Sequence, residues 1–103
     1  MAAAHNLLGL CARADEDWPC ARAEFQLALQ GFEALELRSL VANVNNNLGI
    51  IEREAPDGRS DAMTRYWELA LEGRKAAGDE RGLAETLNNL GVVAQGNRQF
   101  DAA

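Results

Sequence analysis

The sequence predicts an all-α chain, on three observations. Its 103 residues are 48% hydrophobic and 25% charged, the balance of a single globular domain. Proline occurs only at Pro19 and Pro56, and the runs of Val, Ile, Thr and aromatic residues that favour strands are missing. The tetrapeptide Asn-Asn-Leu-Gly occurs at 46–49 and again at 88–91, each time inside a stretch of helical periodicity. Asn and Gly are poor helix formers, the glycine by up to ~1 kcal/mol relative to alanine. Their reuse calls for a tertiary reason.

The elements follow in order. A first helix is expected over about 2–14, ending in the acidic turn Asp15-Glu16-Asp17. Asp17 is placed to cap a second helix, which tolerates Pro19 in its first turn and runs to about 36. A third covers about 39–54 and stops before Ala55-Pro56-Asp57-Gly58, a strong turn signal. Ser60 is the expected cap of a fourth helix that ends near Ala77, where Gly78-Asp79 supplies a C-cap and the next N-cap. A fifth covers about 80–96, and Phe100-Asp101-Ala102-Ala103 begins a sixth.

The duplication extends beyond the tetrapeptide. With a shift of 42, residues 28–51 match 70–93 at nine of 24 positions: 28/70, 29/71, 31/73, 34/76, 42/84 and the four of Asn-Asn-Leu-Gly. Ile50-Ile51 against Val92-Val93 adds two conservative matches. A degenerate first copy begins at His5-Asn6-Leu7-Leu8-Gly9, followed by Ala21, Phe25 and Ala28. In the second copy Met63, Trp67 and Ala70 hold those places, two residues late, with the loop 53–61 absorbing the difference. Phe100 and Ala103 stand at the offsets from Gly91 that Trp18 and Ala21 have from Gly9. Periods of this length mark repeat architectures, in which each unit buries its apolar face against its neighbours.

Leu-Gly in one helix followed by Ala, an aromatic residue and Ala in the next resembles the tetratricopeptide repeat, over essentially the whole chain. The 40–42-residue period and the Asn-Asn-Leu-Gly core are similar to the long-period branch of that family, which includes kinesin light chains and the sensor regions of large bacterial transcription activators. The chain departs from the family pattern at His5, where a tryptophan is usual, and at Ala12, Glu52 and Ala94, where the first helix usually carries an aromatic residue. The resemblance implies an antiparallel helix-pair solenoid of about two and a half repeats in one domain, 1–103. Its repeats would be about 2–37 and 38–78, with a partial third over 79–103. Gly9, Gly49 and Gly91 would let the first helix of each pair approach its partner closely. Leu8, Leu48 and Leu90 are expected in the core, as are Trp18, Phe25, Trp67 and Phe100.

Helical spacing sets Asn6-Leu10-Arg13, Asn46-Ile50-Arg53 and Asn88-Val92-Gln95 in three equivalent rows. By resemblance these rows line the concave groove, with Asn47 and Asn89 in the next groove-facing position and Leu7 as their repeat-one equivalent. A carboxamide has an acceptor oxygen and two donor hydrogens, so an asparagine ladder can read the backbone of an extended peptide. The expected peptide-binding residues are Asn6, Asn46, Asn47, Asn88, Asn89, Arg13, Arg53 and Gln95. Some of these asparagines have a second possible use, bonding adjacent helices and holding the repeats in register. Family members that clamp a C-terminal carboxylate use basic residues. The corresponding positions here hold Asn6, Leu10, Asn47, Glu85 and Asn89, which offer none.

Catalytic constellations do not stand out. His5 is the sole histidine, and it lies six residues from Cys11, off the same-face spacings a nucleophile and base would need. Cys11 and Cys20 fit no zinc or CxxC spacing and read as reduced, partly buried thiols. Phosphate-loop and dinucleotide motifs are absent, and no cofactor or metal is expected. The net charge of −6 disfavours nucleic acid and anionic membranes, and no apolar run approaches the ~18 residues that span a bilayer. The N-terminus lacks the positive stretch of a secretion signal, and a cytoplasmic location is expected. The expected function is non-enzymatic: a protein-interaction module that takes a peptide or protein segment in its groove. Alternatives are a self-association unit or a piece of a larger regulatory protein, because the third repeat leaves Leu87, Leu90, Val92 and Val93 with only a stub to cover them.

Overall fold

The computed structural model describes the backbone of residues 1–102 and the side chains of residues 1–91. Those residues form five helices and no strand: α1 Ala2–Ala14, α2 Trp18–Ala34, α3 Arg38–Glu54, α4 Ser60–Ala77 and α5 Glu80–Ala102. Consecutive helices pack on one another, α1 on α2, α2 on α3, α3 on α4 and α4 on α5. The extents are 47 × 32 × 18 Å, the smallest being about the thickness of two helices.

The ends of the first four helices fall within two residues of expectation. Asp17 Oδ1 accepts from the Cys20 amide, and Pro19 sits in the first turn of α2. Ser60 is the first residue of α4 rather than its cap. Arg59 holds the cap position and makes no side-chain bond to the helix N-terminus. The fifth helix differs more. It continues through Gly96-Asn97 to Ala102, where a break and a sixth helix were expected. Residues 92–99 contain no proline, and a glycine inside a helix costs only ~1 kcal/mol.

Three of the four connections share one construction. The amides of Asp17, Leu37 and Asp79 reach back five residues to the carbonyls of Ala12, Phe32 and Arg74. The amides of Glu16, Glu36 and Gly78 reach back three residues, to Arg13, Glu33 and Lys75. This is the Schellman ending, which requires a left-handed residue at its corner. Gly78 supplies it at φ 70°, but the other two corners are Glu16 at φ 59° and Glu36 at φ 57°.

The core joins Ala12, Ala21, Phe25, Ala28, Phe32, Val44, Leu48 and Ile51. Met63, Trp67 and Ala70 are buried like their counterparts Ala21, Phe25 and Ala28. The glycines explain how the helices come so close. A Cβ at Gly9 would stand 2.7 Å from the Phe25 ring, and one at Gly49 would strike the Trp67 indole. The reverse slots also match: Gly31 of α2 faces Ala2 of α1, and Gly73 of α4 faces Ala42 of α3.

Three core expectations need correction. Leu8 is 51% exposed while Leu48 is buried. α1 packs chiefly on α2, whereas α3 lies between α2 and α4, so the side that covers Leu48 is open at Leu8. Trp18 and Leu90 are half-buried, and Phe100 lies outside the described side chains. Among the described residues, no helix is long and apolar enough to cross a membrane.

Candidate functional site

The asparagines do not share one environment. Asn46 is buried at 3% exposure. Its Oδ1 accepts from Thr86 Oγ1 at 3.4 Å and from Asn89 Nδ2 at 3.2 Å, both on α5. Its backbone carbonyl accepts the Trp67 indole N–H at 3.2 Å. These bonds tie α3 to α4 and α5 and occupy the side-chain oxygen of Asn46 within the fold. Its neighbour Asn45, which the sequence did not single out, is also buried.

Asn47 is half-buried and donates its Nδ2 to Asn6 Oδ1 at 3.5 Å. Asn89 makes the equivalent donation to Asn46 one repeat later. Among the described residues, the carboxamide oxygens of Asn47 and Asn89 accept no hydrogen bond. Asn88 is exposed. Arg13 is engaged: its Nε and Nη2 grip Glu54 at 2.7 and 2.9 Å, linking the C-terminal ends of α1 and α3. That bidentate bond holds the Glu54 carboxyl below its ordinary value, with the charge of Arg13 adding to it. Arg53 is exposed, with its guanidinium 5.7 Å from the centre of the Trp67 ring. Gln95 lies outside the described side chains.

The structure therefore pairs Asn47 with Asn6 across α3 and α1, and Asn89 with Asn46 across α5 and α3, in two separate carboxamide bonds. At the C-terminal end of α1 lies a cleft of about 450 Å³ lined by Leu10, Arg13, Ala14, Glu16, Trp18 and Glu54.

Sequence reasoning missed Arg74. Its guanidinium is 3% exposed and donates from Nη1 to the Gly82 carbonyl at 2.6 Å and to Thr86 Oγ1 at 2.7 Å. Nη2 donates to Asn43 Oδ1 at 2.8 Å, while Nε is buried without a partner. The signal was in the alignment: Arg74 stands at the repeat position of Phe32, and Thr86 at that of Val44.

Reactive groups are not assembled. Cys11 and Cys20 are free and exposed rather than partly buried. Desolvation, with Asp17 and Glu24 beside it, pushes the Cys20 thiol up, away from the thiolate a nucleophile needs. His5 Nδ1 lies 2.6 Å from Glu24 Oε2, a contact between α1 and α2. Among the described residues, no group of three or more His, Cys, Asp or Glu is placed to hold a metal ion. Comparisons with protein-family models, with curated proteins and with solved structures gave no match.

Proposed function

We propose that this chain is a helical-repeat module of tetratricopeptide type, a solenoid of helix pairs. In this reading it is not an enzyme, and it binds an extended peptide or protein segment along the face formed by α1, α3 and α5. The observation that carries the proposal is the repeated carboxamide bond, Asn47 to Asn6 and Asn89 to Asn46. It fixes the three helices in register and leaves the oxygens of Asn47 and Asn89 as acceptors spaced by one repeat. Such acceptors suit the amide hydrogens of a peptide backbone, which need no particular side chain. The half-buried Ile50 and the exposed Leu10 flank them with apolar surface. The net charge of −6 favours a neutral or basic segment over an acidic one. Asn46 belongs to the scaffold of this face, and Asn6 and Arg13 act chiefly by positioning α1 against α3.

A matched pair of substitutions tests this. Asn6→Ala and Asn47→Ala remove the same interhelical bond and should lower stability alike, by about 1 kcal/mol. Only Asn47→Ala also removes the free acceptor. A binding peptide is first selected from an array with the intact protein, and its affinity is then measured by fluorescence anisotropy. Asn47→Ala should weaken it several-fold while Asn6→Ala leaves it near wild type. Equal affinities for the two variants, or an array without a binder, would end the peptide-binding reading. A second reading, self-association, is favoured by the half-exposed Leu87 on α5. Light scattering across a concentration series decides it, since a concentration-independent monomer removes it.

A further inference from the structure

Where one repeat meets the next, the same bond is made twice. The second asparagine of the later repeat donates to the first asparagine of the earlier one: Asn47 to Asn6 at 3.5 Å, Asn89 to Asn46 at 3.2 Å. The accepting position recurs at Asn88, which is exposed and receives no such bond among the described residues. The glycine slot follows the same pattern. Phe25 fills the slot at Gly9 and Trp67 the slot at Gly49, but among the described residues no atom lies within 4 Å of a Cβ built at Gly91. Leu87, on the same stretch of α5, is 50% exposed. Two components of an internal junction are thus each filled twice and open once, three residues apart on one helix.

We propose that the Leu87–Gly91 face of α5 is a docking surface for a further helix pair of this chain's own design. The first helix of that pair seats an aromatic ring on Gly91, and the second donates a side-chain amide to Asn88. Continuity with the two existing junctions identifies this occupant, because each junction presents an aromatic residue to the glycine and a carboxamide N–H to the asparagine. A second copy stacked through its α1 does not meet the requirement. The repeat-one residue at the donor position is Leu7, which has no hydrogen to give. The inference rests on the repeat architecture proposed above and not on peptide binding, which the Asn6 and Asn47 variants test separately.

The test lengthens the chain and supplies the turn: a copy of residues 15–54, which carries the Asp15-Glu16-Asp17 turn that ends α1, follows Gly96, the repeat equivalent of Ala14, in place of residues 97–103. The copied Phe25 then has the spacing from Gly91 that Phe25 has from Gly9. Gly91→Ala and Asn88→Ala are made in the natural and in the lengthened chain. In the natural chain no described residue fills the slot and alanine is the better helix former, so Gly91→Ala should raise the melting temperature by about 4 °C. In the lengthened chain the methyl meets the seated ring, and the same substitution should lower it. Asn88→Ala should be near neutral in the natural chain and lower the midpoint of the lengthened one by about 4 °C. The proposal is overturned if Gly91→Ala has the same sign in both chains, or if the lengthened chain melts no higher than the natural one. It is equally overturned if the natural chain is a dimer that Gly91→Ala and Asn88→Ala dissociate, because the occupant is then a second copy.

Discussion

Arg74 and Thr86 give one junction between repeats a polar form. At the first junction the corresponding positions are Phe32 and Val44, both in the apolar core. In the second, a buried guanidinium meets a buried hydroxyl at 2.7 Å and also binds the Gly82 carbonyl and Asn43. The nearest carboxylate, Glu85, lies 3.8 Å away and is mostly exposed, so the charge is held by neutral acceptors. Buried ionic groups are often replaced by well-packed apolar ones without loss, whereas removing one partner leaves the other unsatisfied. Arg74→Phe or Thr86→Val alone should therefore cost about 2–3 kcal/mol. The double substitution, restoring the pair of the first junction, should recover part of that loss, since the Gly82 carbonyl and Asn43 still lose their donor. Urea unfolding of the four proteins in a double-mutant cycle measures the coupling, and simple additivity would refute the exchange.

The turns between helices carry a cost that their sequences do not announce. Glu16 and Glu36 occupy left-handed corners at φ 59° and 57°, where a side chain costs roughly 1–2 kcal/mol and glycine is unhindered. Gly78 already occupies the third such corner. Both glutamates are exposed, so replacing them sacrifices no buried contact. Glu16→Gly and Glu36→Gly should each raise stability by about 0.5–1 kcal/mol, less than the full strain because glycine also loosens the unfolded chain. Denaturant midpoints report it. Gly78→Glu, the reverse change, should lower stability by a similar amount.

Across the whole molecule, paired charges bridge helices distant in sequence. Arg13 grips Glu54 between α1 and α3, and Arg22 on α2 grips Glu52 on α3 and Asp57 in the turn after it. Arg13 holds the Glu54 carboxyl below its ordinary value of 4.5. A carboxyl whose folded value is depressed contributes stability that is fully present above its unfolded value and disappears as the pH falls through the folded one. Both groups are about one-third exposed, so the contribution is below ~1 kcal/mol. Melting temperatures from pH 7 to pH 3 should fall less steeply below pH 4.5 in Arg13→Met than in the natural chain. Parallel curves would show that the pair adds nothing.

The all-helical class, the ends of the first four helices and the glycine slots at Gly9 and Gly49 were legible in the sequence. They depend on local rules: apolar periodicity, turn chemistry, and the need for small residues where Phe25 and Trp67 press against a neighbouring helix. The repeat also located the asparagines, but not their division of labour. Asn46 and Asn47 are adjacent and chemically identical, yet one points into the junction with α5 and the other toward α1. Successive helical residues are turned by about 100°, so only the positions of the neighbouring helices decide which carboxamide is consumed. The same holds for Leu8 and Leu48, identical in sequence role and opposite in burial, and for Arg74, an ordinary charged residue until Asn43, Gly82 and Thr86 surround it. Sequence determined what each helix is; tertiary packing decided which of its polar groups remain open to a partner.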